Sequence, residues 1–204
     1  MSSTILPPPF ASSAAVAIPR PKRWTCAEFH QLGDEGWFEH VRPILIDGEI
    51  LEMPVPNPPH STAKSLTEEA LRAIFGVGFV VRPENPLVLG RSTDPVPDLA
   101  VVTGSIRDYA RAHPSTAVLV VEVADSSLDF DTGDKASLYA SAGIGDYWVV
   151  DLVNRRLIVF RGPRADAVKP FGFTYANVTE YHLGQSVAPL AAPGSAIVIA
   201  DLLP

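Results

Sequence analysis

The chain has 204 residues, of which 47% are hydrophobic and 19% charged, a composition that supports one sizeable hydrophobic core. Lysine and arginine total 16 against 23 aspartate and glutamate, so the net charge of −7 excludes a global basic field that could collect nucleic acid by charge alone. The single cysteine excludes an intrachain disulfide framework and a cysteine-based zinc site, and it fits a reducing, cytoplasmic compartment.

The first 23 residues are predicted to form a disordered tail. Five prolines fall within the first 21 residues, among Ser, Ala and few large apolar side chains, so this segment cannot repay the entropy of ordering. It has no basic start before its apolar residues, which argues against a signal peptide. The longest apolar runs farther along are interrupted by acids well before the roughly 20 residues that span a bilayer. We therefore predict a single folded domain over residues 24–204 and no membrane partner.

The predicted domain begins with a short helix and a hairpin. Thr25 is followed three residues later by Glu28, the spacing of a capping box, which predicts a helix that ends at Gly33. Next, Asp47-Gly48 separates two runs rich in Ile and Leu, a strong hairpin signal.

A second helix, a group of core strands and a third helix follow. The proline-rich residues 54–60 are expected to be irregular, and apolar residues resume helical spacing from Ser61 to Phe75. Three short runs rich in Val and Leu predict core strands: FVVRPENPLVL, VPDLAVV and AVLVVEVA. A third helix is predicted from Asp134 to Ala142, then two strands joined near Asn154, and an edge strand within the segment after Phe171.

Two acids are unusual within the predicted core strands. Glu122 lies among apolar neighbours in AVLVVEVA, where an unpaired carboxylate is costly to bury, and Asp98 begins the run that follows Pro97. Taken singly, Glu122 has an ordinary explanation as a strand end or structural ion pair, and Asp98 as the end of a turn. If the two strands pair, both carboxylates can point into one site, and two hard oxygen ligands suit Mg²⁺.

Lys135 is the third candidate residue. It lies 13 residues after Glu122, on the first turn of the predicted third helix. One interpretation is a surface lysine on a solvated helix, the ordinary place for this residue type. In the other, a lysine near a metal-bound water orients the nucleophile and offsets negative charge in the transition state. The residues alone leave both interpretations open.

Five runs in this chain, LIDGEILEMP, VPDLAVV, LVVEVADSS, DTGDKASLYASAGIGDYWVVDL and RLIVFR, resemble the Uma-type family of restriction endonucleases, a branch of the PD-(D/E)XK nuclease superfamily. The resemblance covers roughly residues 24–185 and is most specific from Asp131 to Asp151. It implies an α/β fold with a restriction-endonuclease-like core, in which helices flank a central mixed sheet.

The resemblance also implies a role for individual residues. Asp98 matches the acid of the Pro-Asp motif and Glu122 the acid of the second motif, so both are expected to bind metal. Ala124 occupies the usual lysine position, and Lys135 matches members whose lysine has moved to the next helix. Glu49 matches a second acid in the predicted hairpin and is the expected additional metal or water contact.

The implied activity is a Mg²⁺-dependent DNA endonuclease that leaves a 5′-phosphate, with Mn²⁺ able to substitute and with no organic cofactor. A homodimer is expected because cutting both strands needs two active sites. The net charge of −7 and two departures from the family pattern favour the alternative, a catalytically silent binding or regulatory module with the nuclease fold. Ile44 stands where many relatives have Glu, and the Ser-Pro pair common after Glu122 is missing. A hydrolase of small phosphoesters would use the same residues.

The histidines are less informative. None of the five, His60 included, has metal-ligand spacing such as His-x-x-x-His. We therefore expect all five in turns or on the surface.

Overall fold

The structure, a computed structural model, describes residues 19–204, so most of the predicted tail lies outside the described residues. In chain order the helices and strands are α1 (Cys26–Asp34), β1 (Pro43–Ile46), β2 (Glu49–Glu52), α2 (Pro58–Ile74), β3 (Phe79–Pro83), β4 (Leu99–Thr103), a 3-10 helix (Ile106–Tyr109), β5 (Leu119–Ala124), α3 (Leu128–Phe130), a π-helical turn (Asp131–Lys135), α4 (Ala136–Ser141), β6 (Asp146–Asp151), β7 (Arg156–Ala165), β8 (Phe173–His182), β9 (Ser186–Val187), β10 (Ile197–Val198) and a second 3-10 helix (Ile199–Leu202). No helix within residues 19–204 is long and apolar enough to cross a membrane.

The centre of the fold is a six-stranded sheet in the order β3-β4-β5-β6-β7-β8. Strands β5 and β6 are parallel, and the other neighbours are antiparallel. The sheet is therefore mixed, as predicted. The crossover between the parallel strands contains α3, the π-helical turn and α4, because parallel strands need a long connection.

Both faces of the sheet are covered, which explains why every residue of β5 and β6 is buried. On one face Val121 and Val123 belong to a core cluster that includes Leu71 of α2 and the C-terminal 3-10 helix. On the other face Val120 and Ala124 belong to a cluster with Tyr139 of α4. Side chains alternate along a strand, so Glu122 lies on the α4 face.

The predicted first helix and hairpin are present. Thr25 caps α1 with a complete capping box, in which its side chain accepts from the backbone N–H of Glu28. Asp47 and Gly48 both have positive φ, 47° and 76°, as a two-residue hairpin of the mirror-image type requires.

The second helix begins earlier than predicted, inside the proline-rich stretch. It starts at Pro58, and Asn57 is its N-cap, with the side chain accepting from the backbone N–H of His60 at 3.0 Å. The expectation of irregular structure over residues 54–60 was therefore wrong for its last three positions. Proline disrupts a helix interior, but it is tolerated in the first turn, where its missing N–H has no helical partner to lose.

The third helical segment also begins earlier, at Leu128 rather than Asp134. Its π-helical turn lies directly before α4, and such turns occur often at functional sites.

Candidate active site

The pairing of β4 with β5 brings Asp98 and Glu122 together. Leu99 is opposite Val121, so the preceding Asp98 lies beside Glu122. The backbone N–H of Asp98 donates to Glu122 Oε2 at 3.3 Å, and the backbone N–H of Val123 donates to Asp98 Oδ2 at 2.7 Å. Each carboxylate is thus held by the backbone of the other strand. The condition on which a common site depended, pairing of the two strands that carry the acids, is therefore met.

Lys135 joins the two acids from the π-helical turn. Its Nζ lies 3.0 Å from Glu122 Oε1 and 3.1 Å from Asp131 Oδ1. The Lys135 side chain is only 4% exposed, so the interpretation as a surface lysine is wrong. Tyr139, one turn farther along on α4, donates its hydroxyl hydrogen to Glu122 Oε1 at 2.7 Å.

His60 also belongs to this group. Its Nε2 lies 3.2 Å from Asp98 Oδ2, and its side chain is 16% exposed. The expectation that all five histidines occupy turns or the surface was therefore wrong for His60. The physical reason is the early start of α2, which puts His60 on the first turn of a helix instead of in a loop.

Burial and charge shift the pKa values of these groups in different directions. Burial raises the pKa of Glu122 to about 7, against the attraction of Lys135. Burial also raises the pKa of Asp131. Burial by itself would raise the pKa of Asp98, but the hydrogen bonds from His60 and from the Val123 backbone outweigh it and leave the pKa lowered. The hydrogen bond to Asp98 in turn raises the pKa of His60.

The ammonium group of Lys135 is stabilised by the acids around it. Burial alone would lower the pKa of Lys135, but attraction to Glu122 and Asp131 outweighs burial and leaves the pKa raised. Lys135 therefore stays positively charged at neutral pH, within a nearly dry cluster of acids.

All of these residues except Tyr139 line a cavity of about 370 Å³. Its walls also include Arg42, directly before β1, and Ile44 within β1. Asn57, the N-cap of α2, and Asp125, directly after β5, line it as well. The amide group of Asn57 donates to Asp125 Oδ2, which ties the start of α2 to the loop after β5. Ile44 is almost fully buried, so the position where many relatives have Glu contributes an apolar wall here.

Glu49 is not brought to this cavity. It is the first residue of β2, its side chain is exposed, and it pairs with Arg23 at 2.9 Å. It lies opposite Ile46 at the hairpin end, beyond the part of β1 that lines the cavity. The described geometry thus gives no support to Glu49 as an additional metal or water contact.

Sequence reasoning missed three residues of the site: His60, Asp131 and Tyr139. A signal for two of them is present in the sequence, because Asp131, Lys135 and Tyr139 follow one another at intervals of four. That spacing places side chains on one face of a helical segment. The signal for His60 was its position two residues after Pro58, a residue type that favours the first turn of a helix.

Comparison with known proteins identifies the family. A family model named Uma2, described as "Putative restriction endonuclease", matches residues 26–194. The chain belongs to the Uma2 family. This confirms the resemblance seen in the sequence motifs.

A solved structure supports the fold of this Uma2 chain. It is a crystal structure of "a putative nuclease belonging to DUF820" from Anabaena variabilis ATCC 29413, with a TM-score of 0.66 and 18% sequence identity. The similarity covers 88% of this chain and 97% of that chain. At this identity the likeness shows a common fold. A search of curated proteins found no match.

Proposed function

We propose that the protein is a Mg²⁺-dependent endonuclease that hydrolyses phosphodiester bonds of DNA. The observation that carries this proposal is that Asp98, Glu122 and Lys135 line one cavity. The two acids lie side by side on neighbouring strands, and the buried ammonium group of Lys135 reaches Glu122 from the π-helical turn. Membership of a family described as "Putative restriction endonuclease" supports it.

The donor chemistry of the cavity fits a hard divalent cation. No group of three or more His, Cys, Asp or Glu side chains in residues 19–204 is arranged to hold a metal ion. Mg²⁺ does not need one, since it takes one or two protein carboxylates and fills its octahedral shell with waters and substrate phosphate. Asp98 and Glu122 would be the protein ligands. The protein contacts of the Asp98 carboxylate within the described residues all go to Oδ2, which leaves Oδ1 for a cation.

A Mg²⁺ ion bound there would lower the pKa of a coordinated water and polarise a phosphate oxygen. Lys135 has three N–H donors, and two of them face Glu122 and Asp131. The third can donate to the attacking water or to a phosphate oxygen as negative charge develops. Asp131 and Tyr139 are positioning residues, since they contact Lys135 and Glu122 rather than the substrate.

A polyanion needs local positive charge, because the whole chain carries −7. Arg42 on the cavity wall pairs with Glu84 at 2.7 Å, and Lys135 pairs with Glu122 and Asp131, so these two cations are largely neutralised. The positive charge that a phosphate needs would therefore come from bound Mg²⁺ and from His60, whose pKa is raised so that the imidazolium form is favoured. The phosphate can therefore approach a cavity that also contains carboxylates.

The test is conversion of supercoiled plasmid to nicked or linear DNA with Mg²⁺ or Mn²⁺, together with calorimetric titration of Mn²⁺ into the protein. Asp98→Ala is expected to abolish both cleavage and specific Mn²⁺ binding. Asp129→Ala is the matched control, because Asp129 is an exposed acid near the cavity that does not line it. This control should cleave and bind Mn²⁺ like the wild type.

The apolar wall at Ile44 favours one rival, the catalytically silent binding module. Cleavage and Mn²⁺ binding that are equal in wild type and Asp98→Ala would contradict the endonuclease proposal. Absence of both in every protein would establish the silent module instead.

A further inference from the structure

Unpaired positive charge lies beside the active-site cavity. Within the cavity, Arg42 and Lys135 are paired with acids, so neither offers free charge to the DNA on either side of the cleaved bond. Arg82 of β3 and Arg111, two residues after the first 3-10 helix, form no ion pair within residues 19–204. These two arginines, together with Tyr109, are called the arginine patch below.

Arg82 is held in one position by an aromatic ring and a histidine. Its guanidinium carbon lies 5.1 Å from the centroid of the Tyr109 ring, and its Nη2 donates to Nδ1 of His113 at 3.1 Å. Its Nε is buried, whereas its Nη1 is not a buried atom and has no hydrogen-bond partner within residues 19–204. Nη1 is therefore the atom that a ligand can reach. Because the guanidinium is already oriented, less conformational entropy is lost when it binds a phosphate oxygen.

Arg111 connects the patch to the active site. It is exposed, and it lines a second cavity of about 820 Å³ together with Tyr109 and His113. Pro43 and Val96 line both this cavity and the active-site cavity, so the two cavities are neighbours. A strand that leaves the active-site cavity can therefore continue along the second cavity past Arg111.

Arg82 lies on the same face of the sheet as the two acids. It is opposite Ala100 in the pairing of β3 with β4, and Ala100 belongs to the same core cluster as Val120 on the α4 face. Side chains alternate along a strand, so Asp98, two residues before Ala100, lies on this face as well. The usual strand rise and strand spacing put the Cα atoms of Arg82 and Asp98 about 9 Å apart. Successive phosphates of one strand advance about 3.4 Å along a duplex, so the patch can reach phosphates a few nucleotides from the metal site.

Two acids lie near the patch without neutralising it. Asp108 Oδ2 accepts from the backbone N–H of Ser105 at 2.7 Å, which turns this carboxylate back onto its own 3-10 helix. Asp34, on the α1 wall of the second cavity, is exposed. Neither acid is within ion-pair distance of Arg82 or Arg111. The patch is therefore a local basic surface on a chain whose net charge is −7.

We propose that the arginine patch binds backbone phosphates of the DNA strand that flanks the cleaved bond. Arg82 donates from Nη1 and Arg111 from its exposed guanidinium, each to a phosphate oxygen, and Tyr109 keeps Arg82 in place. Such contacts position a strand and read no base sequence. The inference rests on the proposed nuclease function, because the strand that the patch binds is the one that the active site cleaves.

The experiment is fluorescence anisotropy of a labelled DNA duplex with the full chain in EDTA, where no metal-dependent cleavage occurs, at a series of salt concentrations. Arg111→Ala is expected to weaken binding about tenfold at low salt, the effect of one lost charge-assisted hydrogen bond. The slope of log affinity against log salt should fall in magnitude by about 0.9, the counterion release of one phosphate contact. Arg111→Lys keeps the charge and should keep the slope.

Arg82→Ala should lower the slope by a similar amount, with its thermal midpoint measured to verify folding. Arg164→Ala is the matched control, because Arg164 is exposed and lies on β7, four strands from β3 in the sheet. This control should bind DNA like the wild type. Equal affinities and equal slopes in Arg111→Ala and Arg164→Ala would overturn the proposal, and so would a wild type that does not bind DNA.

The two proposals fail separately. Asp98→Ala should retain the salt slope of the wild type while it loses plasmid cleavage. Cleavage that depends on DNA concentration identically in Arg111→Ala and the wild type overturns only the role of the patch. DNA binding that depends on Arg111, without any cleavage, overturns only the nuclease.

Discussion

At the scale of single residues, the ammonium group of Lys135 allows Glu122 and Asp131 to be buried side by side. Lys135→Gln keeps most of the volume and removes the charge, so both acids lose their countercharge in a dry environment. We expect the free energy of unfolding at pH 7 to fall by about 3–5 kcal/mol, the usual result of breaking a buried ion pair from one side. Urea unfolding followed by circular dichroism measures this loss.

The matched control for this prediction is Lys169→Gln. Lys169 is exposed between β7 and β8, and its substitution should change stability by less than about 0.5 kcal/mol. If the two variants unfold at the same urea concentration, the buried ion pairs do not stabilise the fold.

The stability loss of Lys135→Gln should depend on pH. The pKa values of Glu122, at about 7, and Asp131 are already raised in the folded protein, and removing the cation raises them further. A raised carboxyl pKa gives stability that is present below the unfolded pKa and lost as pH rises through the folded pKa. The deficit relative to the wild type should therefore be smaller at about pH 5 than at about pH 8. A deficit that is constant across this range would show that Glu122 and Asp131 do not take up the protons.

The sequence was most informative about single residues where strand pairing decides their neighbours. Asp98 and Glu122 could be predicted together because they lie on consecutive strands. The burial of Lys135 could not be predicted, since it depends on a π-helical turn that sequence patterns do not reveal. The role expected for Glu49 rested on family resemblance alone. In the structure its position on the hairpin points its side chain to Arg23 and solvent.

At the scale of elements, the N-terminus of α2 connects the capping of a helix to the geometry of the site. Asn57→Ala removes the side chain that accepts from the His60 backbone and donates to Asp125. We expect a stability loss of about 1 kcal/mol, typical of an N-cap, and weaker plasmid cleavage because His60 is held less firmly against Asp98. Urea unfolding and plasmid nicking measure the two effects.

Ser65→Ala is the control on the same helix. Ser65 is exposed, and its hydroxyl donates only to the carbonyl of Ser61 one turn earlier. Alanine has the higher helix propensity, so stability and cleavage should be unchanged or slightly improved. Equal cleavage rates in Asn57→Ala and Ser65→Ala would show that the N-cap of α2 does not affect the active site.

The elements themselves were predictable except where proline and glycine acted in less common ways. Pro58 and Pro59 indicated a loop, although proline is equally compatible with a first helical turn. The helical start at Leu128 was likewise missed, because Gly133 and the aspartates around it have low helix propensity. Tertiary burial of Asp131 and Lys135 outweighs that propensity in the folded chain.

At the scale of the whole molecule, the sheet ends in a long exposed edge. β8 has ten residues, and Val178 near its middle is 55% exposed. Such an edge can pair with a second copy through a twofold axis, which would also supply the two active sites needed to cut both strands. We expect light scattering to give twice the mass of one chain, and Val178→Lys to give a monomer because two lysines would face each other.

Val168→Lys introduces the same charge in the exposed loop between β7 and β8 and should leave the dimer intact. A monomeric wild type over a wide concentration range would contradict the expected homodimer. The mixed sheet could be predicted from the family resemblance, but the position of β8 at an edge of the sheet within residues 19–204 could not, because a strand pattern does not reveal which strands lie at the edges.

The reciprocal hydrogen bonds between Asp98 and the strand of Glu122 have one more consequence. Each acid is anchored to the backbone of the other strand at the middle of the sheet, so the backbones that carry the acids can separate only if β4 leaves β5. That opening requires the buried core to come apart as well, so the amide hydrogens of Asp98 and Val123 should exchange with deuterium only through global unfolding. The carboxylate pair and the tertiary structure would then be lost in a single cooperative step, and no partly unfolded form would keep the fold without the site.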